Sequence, residues 1–505
     1  MKGSLRRWGG RPWSGGVCLL VALGGGFLNG CELVHRPLRT VSVEPSRPAK
    51  AAPAPAAPAP ERVQTPPPRS APPAPPAAAP PPPAAAPETP PVPPLALTPE
   101  ERRAEFAEKL QRLEGFLAGR RLDALLLKRP ENFAWLSGGA LNRAEEGRGA
   151  LLLRRGGKRY LLAPKEEVFR WLEEDLAGLG FLPKPFKWYK RYVGSEERGL
   201  VQALTAQQAV GADVAYPGTA WVGPEIDTLR RTLTAGEIRK YRWLGQQAAA
   251  AVARAAKALR KGETEEEVAA RLMQELWAAR IEPMAVWVTA DERRVKYGPA
   301  PPQETPLEQA AFLHVAARRW GLWIGLTRTV YLVPPEADGQ RQQKLLADLA
   351  GKMQAAIRPG QTLDQLLQVS RQAYRQAGYQ EGWEQHEPGG IVGYRRWEAV
   401  AFPGSPVPIR ENQAVVWRVR LSRLCLEDTF LVTAKGPEVL TATDDWPRRS
   451  VTVAGRSVPI PDILERSDEE QQGRRKAIPD GSTTPGGGRA VQRQIGPGGP
   501  PSGDR

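Results

Sequence analysis

The positions of apolar and polar residues along the chain divide its first folded region into alternating helices and strands. A helix is predicted from Pro99 to about Ala118, because Thr98 is a favourable N-cap and Glu101 completes a capping box with it. Three apolar runs typical of buried strands follow it, at residues 122–127, 149–153 and 157–163. Helices and strands continue to alternate, and this order predicts an α/β domain over residues 99–232.

From residue 233 onward the pattern changes to long amphipathic helices followed by longer strands. An Ala-rich helix is predicted over residues 235–259, and Gly262 separates it from a second helix that Thr264 caps, over residues 264–279. Apolar runs typical of strands occupy residues 284–289, 311–316, 321–332, 413–421 and 426–433. The pattern predicts an α+β domain over residues 233–460.

Part of this second region repeats. Residues 258–264 resemble residues 356–362, and in each copy a helix precedes a glycine and a capped amphipathic helix follows it. The repeat predicts two α-α-β halves related by a pseudo-twofold axis, with a site between them. The alternative is a chance similarity, because a helix, a glycine and a second capped helix form a common pattern.

The two ends of the chain have compositions that do not predict a core. Pro and Ala dominate residues 31–98, and Gly, Pro, Arg, Asp and Ser dominate residues 461–505. Neither segment can bury enough apolar surface to offset the conformational entropy that is lost on folding. We therefore predict a disordered stalk of extended polyproline II type and a disordered Gly/Pro-rich tail.

Residues 1–30 are typical of a bacterial lipoprotein signal peptide. A basic start precedes an apolar stretch over residues 17–28, which is too short and too rich in glycine for a membrane span. The stretch ends in Leu28-Asn29-Gly30-Cys31, which resembles a lipobox. We predict lipidation of Cys31 and an exported protein, anchored on the outer face of the cytoplasmic membrane or in the periplasm. An ordinary signal peptide is the alternative.

The charge of the chain limits which macromolecules it can bind, and its cysteine content limits which disulfides it can form. The formal net charge is +16, but the arginines are scattered beside acidic residues and no nucleic-acid-binding motif is present. Nucleic acid is therefore not expected as a partner, and an anionic membrane or wall polymer is more compatible. Of the three cysteines, Cys18 lies in the signal peptide and Cys31 is the lipidation site, so Cys425 is expected to have no disulfide partner.

The order of several motifs resembles the creatinase/prolidase/aminopeptidase P family of metallopeptidases. The matching segments, in chain order, are residues 122–139, 234–238, 321–329, 389–394, 427–429 and 441–447. The resemblance implies a creatinase-like α/β amino-terminal domain and an α+β pita-bread domain after it. It also implies that a homodimer is a possible state, since relatives often dimerise.

Members of this family bind two divalent metal ions through two Asp, one His and two Glu, and the ions generate a hydroxide nucleophile. By resemblance these five positions fall on His314, Gly325, His386, a residue at or beside Arg418, and Glu427. A guanidinium within roughly 5 Å of two divalent ions costs several kcal/mol, so no metal cofactor is expected. The alternative is a single divalent ion (Zn, Mn or Co) on His314, His386 and Glu427.

The cleft of such a domain is expected to be neutral to positive. The candidate lining residues are Arg318, Arg328, Arg396, Arg418 and Glu398. Four of the candidate site residues also have a structural interpretation: His314 as a core residue, His386 as a loop residue, and Glu427 or Glu398 as members of ion pairs.

Three functions are compatible with these features. The first is a surface lipoprotein that retains the peptidase scaffold without its two-metal chemistry and binds a peptide or another small anionic ligand. The second is an active aminopeptidase or dipeptidase that cleaves Xaa-Pro or related peptides with an unusual metal set. The third is a non-catalytic envelope-binding module, in which the stalk and the basic surface matter and the cleft does not.

Overall fold

The computed structural model of the protein describes residues 95, 97–140, 148–191 and 193–466. The predicted signal peptide, Cys31, almost all of the predicted stalk and most of the predicted tail lie outside the described residues. Within the described ranges, no helix is both long and apolar enough to cross a membrane.

The amino-terminal domain is a mixed six-stranded sheet with helices packed against it. Its helices are α1 (Pro99–Arg120), α2 (Pro130–Ser137), α3 (Val168–Arg170), α4 (Glu196–Leu204) and α5 (Gly223–Arg230). Its strands are β1 (Ala124–Leu127), β2 (Ala150–Arg154), β3 (Arg159–Pro164), β4 (Phe181–Phe186), β5 (Val210–Ala212) and β6 (Ala220–Trp221). The spatial order is β4-β3-β2-β1-β5-β6, so β4 and β6 form the two edges.

Local sequence explains how this domain is built. The capping box predicted at the start of α1 is present: Thr98 Oγ1 accepts the Glu101 N–H at 3.2 Å, and the Glu101 carboxylate accepts the Thr98 N–H at 2.9 Å. Strand β1 is buried over its whole length, and its leucines alternate between the two faces, with Leu125 in one apolar cluster and Leu126 in the other. The apolar run is unbroken because both faces of the sheet are buried, each against its own apolar cluster.

The second domain is a nine-stranded sheet with long helices. The helices are α6 (Ala235–Lys257), α7 (Glu265–Ala278), α8 (Asp291–Tyr297), α9 (Ala337–Ala356) and α10 (Leu363–Gln376). The strands of this region are β7 (Glu282–Ala290), β8 (Ala310–Arg319), β9 (Leu322–Tyr331), β10 (Gly389–Val392), β11 (Ala399–Val400), β12 (Ala414–Leu421), β13 (Leu424–Thr433), β14 (Gly436–Val439), β15 (Arg448–Val453), β16 (Arg456–Pro461) and β17 (Leu464–Glu465). The sheet runs β11-β10-β12-β13-β9-β8-β7, while β14 pairs with β13, β17 pairs with β9, and β15 and β16 form a separate hairpin.

Hydrogen bonds that recur in both halves confirm that residues 258–264 and 356–362 form the same local connection. Gly262 N–H donates to the Leu307 carbonyl oxygen at 2.8 Å, and Gly360 N–H donates to the Ile409 carbonyl oxygen at 2.9 Å. Both glycines have positive φ, 86° and 91°, which a side chain would strain. Two residues after each glycine, a threonine capping box starts the next helix. Each half therefore repeats the same helix–glycine–helix connection, and each glycine is bonded to the loop that precedes a strand of its own half.

Buried ion pairs join the two domains. Lys109 of α1 lies 2.6 Å from Glu105 of the same helix and 2.7 Å from Glu237 of α6. Lys240 of α6 contacts Glu105 in turn at 3.1 Å, and the Tyr394 hydroxyl donates to Glu237 at 2.6 Å. Two lysines and two glutamates thus neutralise one another away from water. Separating the domains would expose this set of mutually dependent charges.

The folded chain continues past residue 460, the end that the composition predicted for the second domain. Strand β17 pairs in parallel with β9, Ile463 is buried, and the Arg466 guanidinium donates to the Ala256 carbonyl oxygen at 3.3 Å. The Gly/Pro-rich composition of residues 461–505 hides these few apolar positions at its start. The second domain therefore reaches at least residue 466.

Candidate functional site

A row of five side chains crosses the nine-stranded sheet and includes three of the predicted site residues, His314, Arg418 and Glu427. Its members are Trp287 (β7), His314 (β8), Thr327 (β9), Glu427 (β13) and Arg418 (β12), each the registered partner of the next. Because directly opposite residues of neighbouring strands point to the same face, these side chains project together. We call them the cleft row.

Arg418 binds Glu427 in the cleft row. Its Nη2 lies 2.6 Å and its Nε lies 2.7 Å from Glu427 Oε2. Burial alone would raise the pKa of the Glu427 carboxyl, but the charge of Arg418, helped by His314, outweighs burial and holds this pKa well below its usual range. Glu427 is therefore ionised, and the guanidinium neutralises it.

The hydrogen bonds around Glu427 decide which nitrogen of His314 carries the proton. The Thr327 hydroxyl donates to Glu427 Oε2 at 2.9 Å, so its oxygen is free only to accept from His314 Nδ1, 2.9 Å away. Nδ1 also lies 3.3 Å from Glu427 Oε2, a pure acceptor. The other tautomer would place a lone pair against this carboxylate, and its only gain is a contact with Arg418 Nη2 at 3.5 Å. Nδ1 therefore bears the hydrogen.

This assignment leaves His314 Nε2 as an acceptor. Burial lowers the pKa of His314, so the ring is neutral near pH 7. Nε2 is itself buried, and no group in the described chain forms a hydrogen bond with it. A buried acceptor without a partner costs about 1–3 kcal/mol, which a ligand N–H or O–H would remove.

His386 contacts the cleft row through Arg418 and has the same property. It follows a short 3₁₀ helix, Gly382–Gln385, and its Nε2 donates to the Arg418 carbonyl oxygen at 3.3 Å. Burial, and then the charge of Arg418, lower its pKa to about 4, so this ring is also neutral near pH 7. Its Nδ1 is buried and has no hydrogen-bond partner among the described groups. Both predicted histidines therefore present an unsatisfied lone pair.

Gly325 leaves space that Glu427 fills. A Cβ atom built on Gly325 would lie 2.6 Å from Glu427 Oε1, closer than Cβ atoms approach such atoms in proteins. The aspartate that the family resemblance implies at this position is therefore incompatible with the conformation of Glu427.

These residues do not fit the two-metal centre that the family resemblance implies. Glu427 is the one carboxylate left at the expected positions, and Arg418, which stays protonated at working pH, is bound to it. Across the described ranges, no three His, Cys, Asp or Glu side chains come together as a metal ion would need. His314, His386 and Glu427 therefore do not assemble into the single-ion alternative in this arrangement.

The predicted cleft arginines differ in how their charges are balanced. The guanidinium carbon of Arg396 lies 6.0 Å from the centre of the Trp287 ring, which in turn lies 5.1 Å from the His314 ring. No carboxylate in the described part of the chain forms an ion pair with Arg396. Arg318 faces the same side of β8 but lies 2.9 Å from Glu282. Arg396 is thus available to an anion, and Arg318 is already neutralised.

Arg328 does not line the cleft, contrary to the prediction. It follows Thr327 in β9, and successive side chains of a strand point to opposite faces. On the far face it lies 2.6 Å from Asp428 and donates to the carbonyl oxygens of Thr327, Glu427 and Thr441. The two terminal nitrogens of its guanidinium form four hydrogen bonds that hold strands together, so Arg328 is a structural residue.

Glu398 does not line the cleft either, and it is not an exposed ion pair. Its carboxylate is buried and accepts Arg230 Nε at 2.9 Å and the N–H groups of Tyr394 and Arg395 at 3.0 and 3.2 Å. Arg230 belongs to α5, so this pair fastens the amino-terminal domain to the second domain.

Two members of the cleft row were not among the predicted site residues. Thr327 lies two positions after Gly325 in a predicted strand, so the period of two could have indicated that it shares the face. Trp287 also lies in a predicted strand. Its register opposite His314, however, depends on residues 291–309, which form a helix and a loop between the two strands. No short sequence pattern predicts the register of β7 against β8.

Comparison with known proteins agrees with this architecture. A model of metallopeptidase family M24 matches residues 239–434, and one of the creatinase/prolidase N-terminal domain matches residues 109–221. Uncharacterized peptidases of Staphylococcus aureus are 23% identical over 349 residues, which is 66% of this chain and 98% of theirs.

Solved structures share the fold. The prolidase from Pyrococcus horikoshii superposes with a TM-score of 0.56 at 19% identity, covering 67% of this chain and 99% of its own. The dipeptidase PepE from Mycobacterium ulcerans superposes with a TM-score of 0.58 at 19% identity, covering 72% and 99%. Since both domains match in order and the fold is shared along nearly the whole length of these proteins, the chain belongs to the creatinase/prolidase family of M24 peptidases.

Proposed function

We propose that this protein is an exported, lipid-anchored member of the family that binds a peptide or another small anionic ligand without two-metal hydrolysis. The observation that carries the proposal is the contact of 2.6 Å between Arg418 Nη2 and Glu427 Oε2. A protonated guanidinium occupies the carboxylate that would otherwise hold metal ions. The positive charge beside Glu427 is thus supplied by Arg418 itself and not by bound metal ions.

The unsatisfied groups indicate the ligand chemistry. Arg396 offers a positive charge beside Trp287, and it calls for an anionic group such as a carboxylate. His314 Nε2 and His386 Nδ1 are acceptors, and they call for N–H or O–H donors. A peptide or an amino-acid derivative carries both kinds of group. The aromatic face of Trp287 would add apolar contact.

The test combines metal analysis with ligand-dependent melting. We expect purified protein to contain much less than one equivalent of Mn, Co or Zn. We also expect its melting temperature to rise with short peptides that have a free carboxylate, because a ligand that binds only the folded state stabilises it. Amidation of the peptide carboxylate should abolish the rise.

Matched arginine variants locate the site. Arg396→Ala should lose the peptide-dependent shift, whereas Arg456→Ala, an exposed arginine in the β15–β16 hairpin, should keep it. Equal losses in both variants would contradict the cleft assignment. Two equivalents of metal, together with Xaa-Pro hydrolysis that Glu427→Gln abolishes, would instead establish an active metallopeptidase.

The membrane anchor is part of the same proposal and has its own test. The lipobox-like sequence before Cys31 supports it, together with a Pro/Ala stalk that would hold the folded domains away from the surface. Cys31→Ala should move the processed protein from the membrane fraction to the soluble fraction. Unchanged membrane partition would refute lipidation without bearing on the cleft.

A further inference from the structure

Exposed apolar side chains concentrate at one edge of the six-stranded sheet. Twelve large hydrophobic residues of the described chain are exposed, and four of them lie on β4 or in the segment that follows β4. These four are Leu182, Trp188, Tyr189 and Val193. Trp188 is 54% exposed and sits edge-on to Tyr189, with ring centres 5.9 Å apart. We call this surface the β4 face.

Uncompensated lysines accompany these apolar side chains. Lys184 lies in β4, and Lys187 and Lys190 lie before and within the 3₁₀ helix Trp188–Arg191. In the described ranges, none of the three forms an ion pair with a carboxylate. Lys184 instead rests over the Tyr160 ring at 5.7 Å. Alternation of aromatic and basic side chains on one exposed surface is typical of contacts with the headgroup region of a bilayer.

The backbone of β4 argues against strand addition at this edge. Pro183 and Pro185 have no N–H, and in an edge strand such prolines stand where the missing N–H faces away from the paired neighbour. The open side of β4 therefore lacks donors at two alternate positions, so an added strand could not pair regularly. A partner at this face must be recognised by side chains alone.

We propose that the β4 face docks the amino-terminal domain onto an anionic lipid bilayer. Trp188, Tyr189 and Val193 enter the headgroup region, and the lysines lie against lipid phosphates. The lysines are attracted to an anionic surface, and salt screens this attraction. The proposal is independent of the cleft ligand and of lipidation, although an anchor at Cys31 would keep the face near a membrane.

The experiment uses full-length chain with Cys31→Ser, so that no lipid is attached. Hydrogen–deuterium exchange is followed with vesicles that contain about one third phosphatidylglycerol in phosphatidylcholine, and with pure phosphatidylcholine vesicles. We expect slower exchange at residues 187–191 with the anionic vesicles only, and reversal of this protection at high salt. This local readout is insensitive to any insertion of the apolar amino terminus.

Variants of the β4 face make the result specific. Trp188→Ser with Tyr189→Ser, and separately Lys187→Glu with Lys190→Glu, should each weaken vesicle binding at least tenfold in the protection titration. Trp221→Ser is the matched control, because Trp221 is 59% exposed on the opposite edge strand. It should bind like the parent chain.

Three outcomes would overturn the proposal. The first is unchanged exchange at residues 187–191 with anionic vesicles, and the second is an equal effect of Trp221→Ser. The third is protection by a soluble anionic wall polymer but not by vesicles, which would assign the face to that polymer. Circular dichroism melting checks that each variant folds, as expected for substitutions of exposed or half-buried side chains.

Discussion

Two arginine–carboxylate pairs lie on opposite faces of the same sheet. Glu427 and Asp428 are neighbours in β13, and each carboxylate lies 2.6 Å from an arginine nitrogen. Arg418 binds the first on the face of the cleft row, and Arg328 binds the second on the far face. The two pairs thus have the same chemistry and the same contact distance, but they lie in different surroundings.

The two pairs differ in how completely their surroundings are satisfied. Arg328 also donates to three carbonyl oxygens, and Asp428 accepts the Thr441 hydroxyl at 2.6 Å. Around Arg418, by contrast, two histidine nitrogens are buried and form no hydrogen bond with any group in the described ranges. The Arg328–Asp428 pair is fully hydrogen-bonded and has a structural role. Beside the Arg418–Glu427 pair, the two unsatisfied histidine nitrogens lower the stability of the fold until a ligand binds them.

The largest effect is expected from removing the far arginine. Arg328→Ala would leave the buried Asp428 carboxyl without its cation, and it should lower the free energy of unfolding by about 3–5 kcal/mol, measured by urea denaturation. Arg328→Lys keeps the charge but not the fork, so its loss should be intermediate. A loss for Arg328→Ala no greater than that of an exposed arginine would contradict the structural role.

Removing the near arginine should cost less, about 2 kcal/mol, because His314 can take over as the cation. In Arg418→Ala, Glu427 keeps the Thr327 hydroxyl and an imidazole 3.3 Å away. The pKa of His314 should then lie above its unfolded value, so its contribution is present at low pH and lost as pH rises. Urea denaturation should therefore show a smaller loss at about pH 6 than at about pH 8. The opposite order would exclude this compensation.

Acid should destabilise the region through His386. Its folded pKa of about 4 lies below the unfolded value of 6.5, so between these values the unfolded chain binds more protons. The stabilisation is complete above the unfolded pKa and is lost as pH falls toward the folded one. Allowing for partial exposure, the loss should reach about 2 kcal/mol.

His386→Asn tests this assignment. Its stability should depend less steeply on pH in that window than that of the parent chain, as measured by thermal melting at several pH values. The lowered pKa of His314 acts in the same direction, so part of the slope should remain. An unchanged slope in His386→Asn would show that His386 does not titrate in this way.

The smallest effect is expected at the glycine that Glu427 overlies. Gly325→Ala should cost about 1 kcal/mol, because its Cβ must displace Glu427 Oε1. In a Glu427→Ala background the same substitution should cost less, and a double-mutant cycle of urea denaturation measures the difference. Additive effects would mean that Glu427 does not fill the glycine's space.

Much of the fold follows from local signals in the sequence. The capping threonines Thr98, Thr264 and Thr362 start helices where predicted, because an N-cap satisfies N–H groups that no other local residue reaches. Buried strands appear where apolar runs occur. The family resemblance and the departures at His314, Gly325 and Arg418 are likewise visible in the sequence.

The sequence by itself therefore determined the elements, their order and the loss of most metal-binding side chains. Only the tertiary structure decided that Arg418 and not Arg328 shares a face with Glu427, and that Glu398 binds Arg230 of the other domain. The physical reason is register. Glu427 meets Thr327 across a pairing of strands 100 residues apart, and a shift of one residue would turn every side chain of a strand to the other face.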